Sequence, residues 1–230
     1  RLACAQQPRP PAKQRAQIAS GLAEIGMAKA AIRCLEGPEP AWAELADGPR
    51  LSLARTLLKG DAAQRQRGID LLLELGSRQG GNAADAPEAV RLLAQQEGAA
   101  AAAALSALPA LWRDSAPVAA RRVLADPAGQ GGLAVLQRWP EDPASWDLQW
   151  ELARSELLAG RWSQAERLLR AIDPARLPPL LAARQRFWLG FSQLKQGQAG
   201  AAADSWRELL RHHPGGCVRD QQSYGTCCGY

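Results

Sequence analysis

Along most of this chain apolar residues recur at intervals of three and four, the spacing of one face of an α-helix, and glycine or proline cuts the stripes into short pieces. The most regular stretch runs from Phe187 to Pro214, FWLGFSQLKQGQAGAAADSWRELLRHHP. It reads as one helical hairpin: Leu189 and Gly190 on the first helix, Gly197 in the turn, Ala202 where two helices cross, Trp206 on the second helix and Pro214 as its stop. The same intervals recur at Ile18, Gly26, Ala31 and Leu35, and again at Leu152, Gly160, Ala165 and Leu169. Packing chemistry explains the choice of residues. Where two antiparallel helices lie close, only Ala or Gly leaves room for the opposing backbone, while Leu or Trp fills the gap to the next hairpin.

This order and spacing is similar to a tetratricopeptide-type repeat, helix, turn and helix with a period of roughly 34 residues. One hairpin cannot bury its apolar face alone, so neighbours stack. The pattern therefore predicts an all-α fold, a right-handed superhelix or α-solenoid of antiparallel hairpins, over residues 13–214. Residues 1–12 are polar and Pro-rich and are expected to be a loose lead-in. Residues 215–230 lack helical period and are expected to be a disordered tail outside the core.

Between the repeat copies the punctuation sets further expectations. Gly37-Pro38-Glu39-Pro40 should end the first hairpin, since proline lacks an N–H and biases its predecessor away from the α region. A helix is expected over 41–59, closed by Gly60-Asp61, with a partner over 64–75. Residues 76–87 read as a loop, with Asp85 placed to cap the helix that follows and Pro87 in its first turn. Helical composition continues over 88–111 up to the break at Pro109, and Ser115-Ala116-Pro117 reads as another helix start. A short helix is expected near 133–139. Ser145 is read as the cap of a helix over 146–158, and 162–172 as its partner.

Composition changes the picture in two ways. Of the aromatic residues eight are Trp, against two Phe and two Tyr, so the large side chains are few and act as anchors between many Ala and Leu. Trp162, Trp188 and Trp206 stand at repeat-like positions and read as packing. Trp139, Trp146 and Trp150 cluster near Pro140 and Pro143 and are the candidate groove contacts, because an aromatic face suits the apolar face of a sugar or peptide group. The net charge is +5, but acidic and basic residues alternate, as in Glu151, Arg154, Glu156 and Arg161. A nucleic-acid partner needs clustering of one sign, so none is expected. No run reaches the ~18 apolar residues of a membrane span. The chain begins at Arg1 and its one Met is Met27, so it reads as a processed or truncated piece.

Candidate chemistry is sparse. His212, His213, Cys217, Cys227 and Cys228 are ligand-type residues, but zinc knuckles need C-x(2–4)-C or H-x(3–5)-H spacing, which is absent. No metal and no cofactor are expected. The five cysteines show no disulfide framework by spacing, and Cys4 reads as a free cysteine. Two adjacent histidines make a catalytic triad improbable. Glu141 with Asp142, or Asp147 with Glu151, are paired carboxylates of the kind used in glycosidic chemistry, yet capping and surface ion pairing explain them better. No catalytic residue is assigned.

The segment from Arg184 to Gly216, RQRFWLGFSQLKQGQAGAAADSWRELLRHHPGG, resembles the superhelical part of periplasmic soluble lytic transglycosylases. There a U-shaped array of helical hairpins precedes a lysozyme-like domain that cleaves peptidoglycan. The resemblance is specific over about the last third of the helical region. The family's hairpin commonly leads to Tyr-Tyr-Gly, whereas Cys217-Val218-Arg219 stands here, and the catalytic Glu-Ser motif is absent. It implies a non-catalytic region that scaffolds or steers peptidoglycan in the periplasm. The alternative is a tetratricopeptide-like adaptor, periplasmic or cytoplasmic, binding a protein or peptide segment.

Overall fold

A computed structural model describes residues 4, 9–37, 40–81, 83–126 and 131–212. These residues are all-α, with thirteen α-helices, a few 3-10 turns and no strand among them. Among the described residues no helix is long and apolar enough to cross a membrane. His213 and the tail expected over 215–230 lie outside the described residues. The chain forms two compact units, residues 1–118 and 119–230.

The first unit begins with the hairpin α1 (Ala12–Glu24) and α2 (Ala28–Leu35). A 3-10 turn at Trp42–Glu44 leads into α3 (Asp47–Leu57) and α4 (Ala62–Ser77). Then come α5 (Ala86–Ala94), α6 (Ala99–Ala107), the single turn α7 (Ala110–Arg113) and the start of α8 (Ala116–Ala125). Helix α4 is the hub, packing on α3, α5 and α6. Its Leu71, Leu72 and Leu75 are fully buried beside Leu35, Leu53 and Leu93. Gly68 makes the close approach to α3 possible, because a Cβ there would stand 3.2 Å from the Ala54 carbonyl.

The second unit takes the rest of α8, then α9 (Gly132–Arg138), α10 (Pro143–Leu158), α11 (Trp162–Leu169), α12 (Pro179–Lys195) and α13 (Ala199–His212). Helices α10 and α11 form one hairpin, α12 and α13 another, and α11 packs on α12. In the last hairpin Ser205 meets the Gln193 amide at 2.8 Å, and the Trp206 indole N–H donates to the Phe187 carbonyl at 3.2 Å. Later residues of α13 thus meet earlier residues of α12, so the two helices are antiparallel.

Three turns share one hydrogen-bond pattern. The N–H of Gly26 donates to Ala23 and that of Met27 to Leu22; Gly160 donates to Leu157 and Arg161 to Glu156; Gly197 donates to Leu194 and Gln198 to Gln193. This paired arrangement closes the orphan carbonyls at a helix C-terminus and requires a left-handed residue. The three glycines supply it, with φ of +78, +70 and +77°. The residue after each glycine then accepts the first bond of the next helix, from Ala31, Ala165 and Ala202 respectively, each at 3.0 Å. Those three alanines are buried.

Several boundaries differ from expectation. The helix expected over 41–59 is divided: Trp42–Glu44 is a separate turn and α3 starts at Asp47. Pro49 sets that start, since its missing N–H falls in the first turn, where no intrahelical partner exists. The stretch expected as helix over 88–111 is interrupted at Gly98, with φ of +93°. Ser145 is not the cap of α10. Asp142 is, its carboxylate accepting from the Ala144 N–H at 2.8 Å, with Pro143 following and Ser145 buried. Asp85 sits at the N-cap of α5 without a side-chain capping bond.

Cys4 is not free. It is joined to Cys34 in a disulfide that spans 30 residues of sequence, and both are buried. Spacing hides this pair because the α1–α2 turn folds the chain back on itself. Arg15, buried as well, donates to the carbonyls of Pro10 and Cys34 at 3.1 Å each. The end of α2 and the segment before α1 are therefore tied together twice.

Candidate functional site

The side chains best suited to meet a ligand in the second unit stand on α10, α11 and α12. On α12, Arg184, Phe187, Trp188, Phe191 and Lys195 follow at helical intervals and form one stripe. Trp188 is its centre. Its ring lies 6.2 Å from Trp150 of α10, 5.3 Å from Phe187 and 5.5 Å from Phe191, the last two edge to face. Trp162 of α11 meets Phe191 edge to face at 5.8 Å. Such offset contacts suit the ring quadrupole.

Cations flank these rings. The Arg184 guanidinium lies 4.2 Å from the Trp150 ring, and Lys195 is 5.9 Å from Trp162 and 5.3 Å from Phe191. Burial lowers the pKa of Arg184, partly offset by Asp147 and Glu151. The guanidinium remains charged at neutral pH. The five rings are half-buried, so the stripe presents apolar ring surface and positive charge together.

The floor beneath the stripe is fixed by two buried glutamines. Gln149 of α10 donates to the carbonyls of Leu168 and Leu169, at 3.0 and 3.1 Å. Gln185 of α12 donates to the carbonyls of Leu169 and, at 2.7 Å, Ile172. The last carbonyls of a helix have no intrahelical partner, and here amides from both neighbouring helices satisfy those of α11. Gln149 and Gln185 line a small cleft together with Trp146, Trp150 and Arg184. The Gln185 side-chain oxygen, Oε1, is buried there without a partner.

Of the candidate groove residues, Trp146 and Trp150 thus line one cleft, and Trp139 is absent from that lining. Trp146 donates its indole N–H to the Pro140 carbonyl at 2.9 Å, which fixes its ring. Trp139 packs partly buried on the core, with the Arg138 guanidinium 4.3 Å from its ring. The repeat residues fall at helix contacts and turns. Ile18 is half-buried against a core that includes Leu35. Leu152 reaches over Gly132, and Leu169 is buried on the inner side of α11. Leu189 is half-buried, and Gly190 is covered by Trp206.

The paired carboxylates are engaged elsewhere: Asp142 in its cap, Glu141 with Arg176 at 3.3 Å and Glu151 with Arg154 at 2.8 Å. His212 lies 3.3 Å from Glu208. Among the described residues no group of His, Cys, Asp and Glu is placed to hold a metal. His213, Cys217, Cys227 and Cys228 lie outside them. Arg184, Phe187, Phe191 and Lys195 were not marked by the sequence pattern as site residues. Their helical intervals on α12 are the signal that could have singled them out. Comparison with family models, curated proteins and solved structures finds no match to this chain.

Proposed function

We propose that this chain is the non-catalytic helical-repeat region of a cell-envelope, peptidoglycan-processing protein similar to soluble lytic transglycosylases, and that it holds or steers peptidoglycan strands. The observation that carries the reading is the aromatic stripe centred on Trp188. Sugar rings offer apolar C–H faces, and peptidoglycan also carries carboxylates, so half-buried rings flanked by Arg184 and Lys195 match both features. The Cys4–Cys34 disulfide supports an oxidising setting such as the periplasm, since such bonds persist there and are rare in the cytosol.

The finer architecture belongs to the same proposal. The three like turns support its repeating unit, the hairpin, and the proposal stacks such units as a right-handed superhelix. A solenoid should scatter X-rays with a radius of gyration well above the about 17 Å expected for a compact globule of this length.

The functional test is co-sedimentation with purified, insoluble peptidoglycan. Retention of the full chain is expected, together with loss of at least half of it in the double variant Trp150→Ala, Arg184→Gln, while helical content stays unchanged by circular dichroism. Equal retention of the variant removes the stripe from the function, and no retention of the parent chain sinks the reading. Recovery of peptide ligands and not glycan would favour the adaptor alternative.

A further inference from the structure

A second feature lies in the first unit and is independent of the peptidoglycan reading. The 3-10 turn Trp42–Glu44, α3 and α4 border an open cleft of about 580 Å3. Its lining includes Trp42, Glu74 and three guanidiniums, those of Arg50, Arg67 and Arg78. Arg67 and Glu74 are spaced to share one face of α4, and Arg78 follows its last residue, Ser77.

Arg50 is 2% exposed. Its Nη2 donates to the carbonyls of Trp42 at 2.7 Å, Ala43 at 3.3 Å and Leu45 at 3.0 Å, and so pins the turn. Its Nη1 meets Glu74 Oε2 at 3.2 Å, and its Nε is buried without a partner. Arg67 stands 5.0 Å from the Trp42 ring and 3.7 Å from Glu74 Oε1, near the outer limit of an ion pair. Arg78 pairs with Asp47. Two carboxylates therefore serve three guanidiniums. Burial and then the field of Arg78 lower the Arg50 pKa; Glu74 and Asp47 oppose this, and Arg67 adds to the lowering.

Glu74 shows what the cleft accepts. Its two oxygens are divided between Arg50 and Arg67, while its side chain stays 44% exposed. A planar guanidinium fork matches a carboxylate, and the stems of Arg67 and Arg78 offer apolar surface beside it, above the Trp42 ring, which is itself buried. We propose that this cleft binds a terminal carboxylate next to an apolar side chain, as at the end of a peptide, and that Glu74 is its internal competitor. On binding, the ligand carboxylate takes the oxygen positions of Glu74 beside Arg67, and Glu74 turns to solvent.

The probe is N-acetyl-leucine, compared with N-acetyl-leucinamide and with inorganic phosphate at constant ionic strength. The readout is the Trp42 indole N–H resonance, assigned from Trp42→Phe. The acid should shift it saturably with a Kd on the order of 1 mM, as for a ligand of this size. The amide should not shift it, and phosphate should bind more weakly for want of the apolar contact. Glu74→Gln should tighten the acid by about three- to tenfold, and Arg67→Gln should weaken it by about fivefold or more. Equal shifts with acid and amide, or none with the acid, overturn the site. Phosphate binding as tightly as the acid overturns the assignment to a terminal carboxylate. The ligand comparison is made on the wild-type chain, with Trp42→Phe used for assignment alone, and since no glycan is present its failure leaves the peptidoglycan reading untouched.

Discussion

Glycine performs three different tasks in this chain, and alanine in its place should destabilise at two of them and stabilise at the third. Gly197 has φ of +77° and nothing within 4 Å of a built Cβ. Gly197→Ala should therefore cost about 1 kcal/mol from backbone strain alone. At Gly190 a Cβ would meet the Trp206 ring at 2.5 Å, so Gly190→Ala should cost about 1–3 kcal/mol by overpacking. Gly21 is exposed within α1 with open space around it, and Gly21→Ala should stabilise by about 0.5–1 kcal/mol. Urea midpoints of the three variants test the order; a stabilising Gly190→Ala would refute the close contact. Glu88 offers a residue-scale test in pH. Its bond to Arg91 is the main cause that depresses its pKa; burial opposes this, and the bond to Arg55 adds to the depression. A carboxyl depressed on folding contributes stability above its unfolded pKa of about 4.5, and that contribution fades as pH falls through the lower folded value. Glu88→Gln should flatten this acid limb and lower stability near neutrality by about 0.5–1 kcal/mol, the scale of a partly exposed pair. A full acid limb in the variant would exclude Glu88 as its source.

At the scale of elements, α11 depends on its neighbours for its C-terminus. Gln185→Leu keeps the volume but leaves the buried carbonyl of Ile172 without its donor and that of Leu169 with Gln149 alone. The cost should be about 1–3 kcal/mol, with faster amide exchange at the end of α11 and little change at the α12–α13 turn. Uniform acceleration across both helices would contradict the capping role. The same region shows what sequence could and could not reveal. The turns at Gly26, Gly160 and Gly197 were legible because a left-handed position is written into the chain as glycine. The break before α3 was obscured because the apolar stripe runs through Trp42 and Leu45 without a gap, and only Pro49 marks the start. Ser145 was a misleading cap signal because Asp142-Pro143 is the stronger start. Arg50 and the two capping glutamines were invisible for another reason. Their roles come from residues on other elements, so no local period encodes them.

At the scale of the whole molecule, the two units are held by different means. Among the described residues only the first contains a disulfide, which closes the α1–α2 hairpin between Cys4 and Cys34, 30 residues apart. Loop-closure entropy removed from the unfolded chain should be worth about 3–4 kcal/mol for a loop of that length. Arg15 adds bonds to Pro10 and Cys34 at the same place, so reduction should loosen the hairpin without unfolding it outright. Hydrogen exchange after reduction should therefore accelerate across residues 12–35 and remain unchanged across 143–212. The double variant Cys4→Ser, Cys34→Ser should reproduce that pattern under oxidising conditions, and reducing agent should then have no further effect on these segments. Exchange that does not respond to reduction would mean that packing of α1 on α2 already supplies the constraint. It would also remove the main structural support for an oxidising compartment, since a bond that adds nothing to the fold gives no reason to keep the chain where disulfides persist.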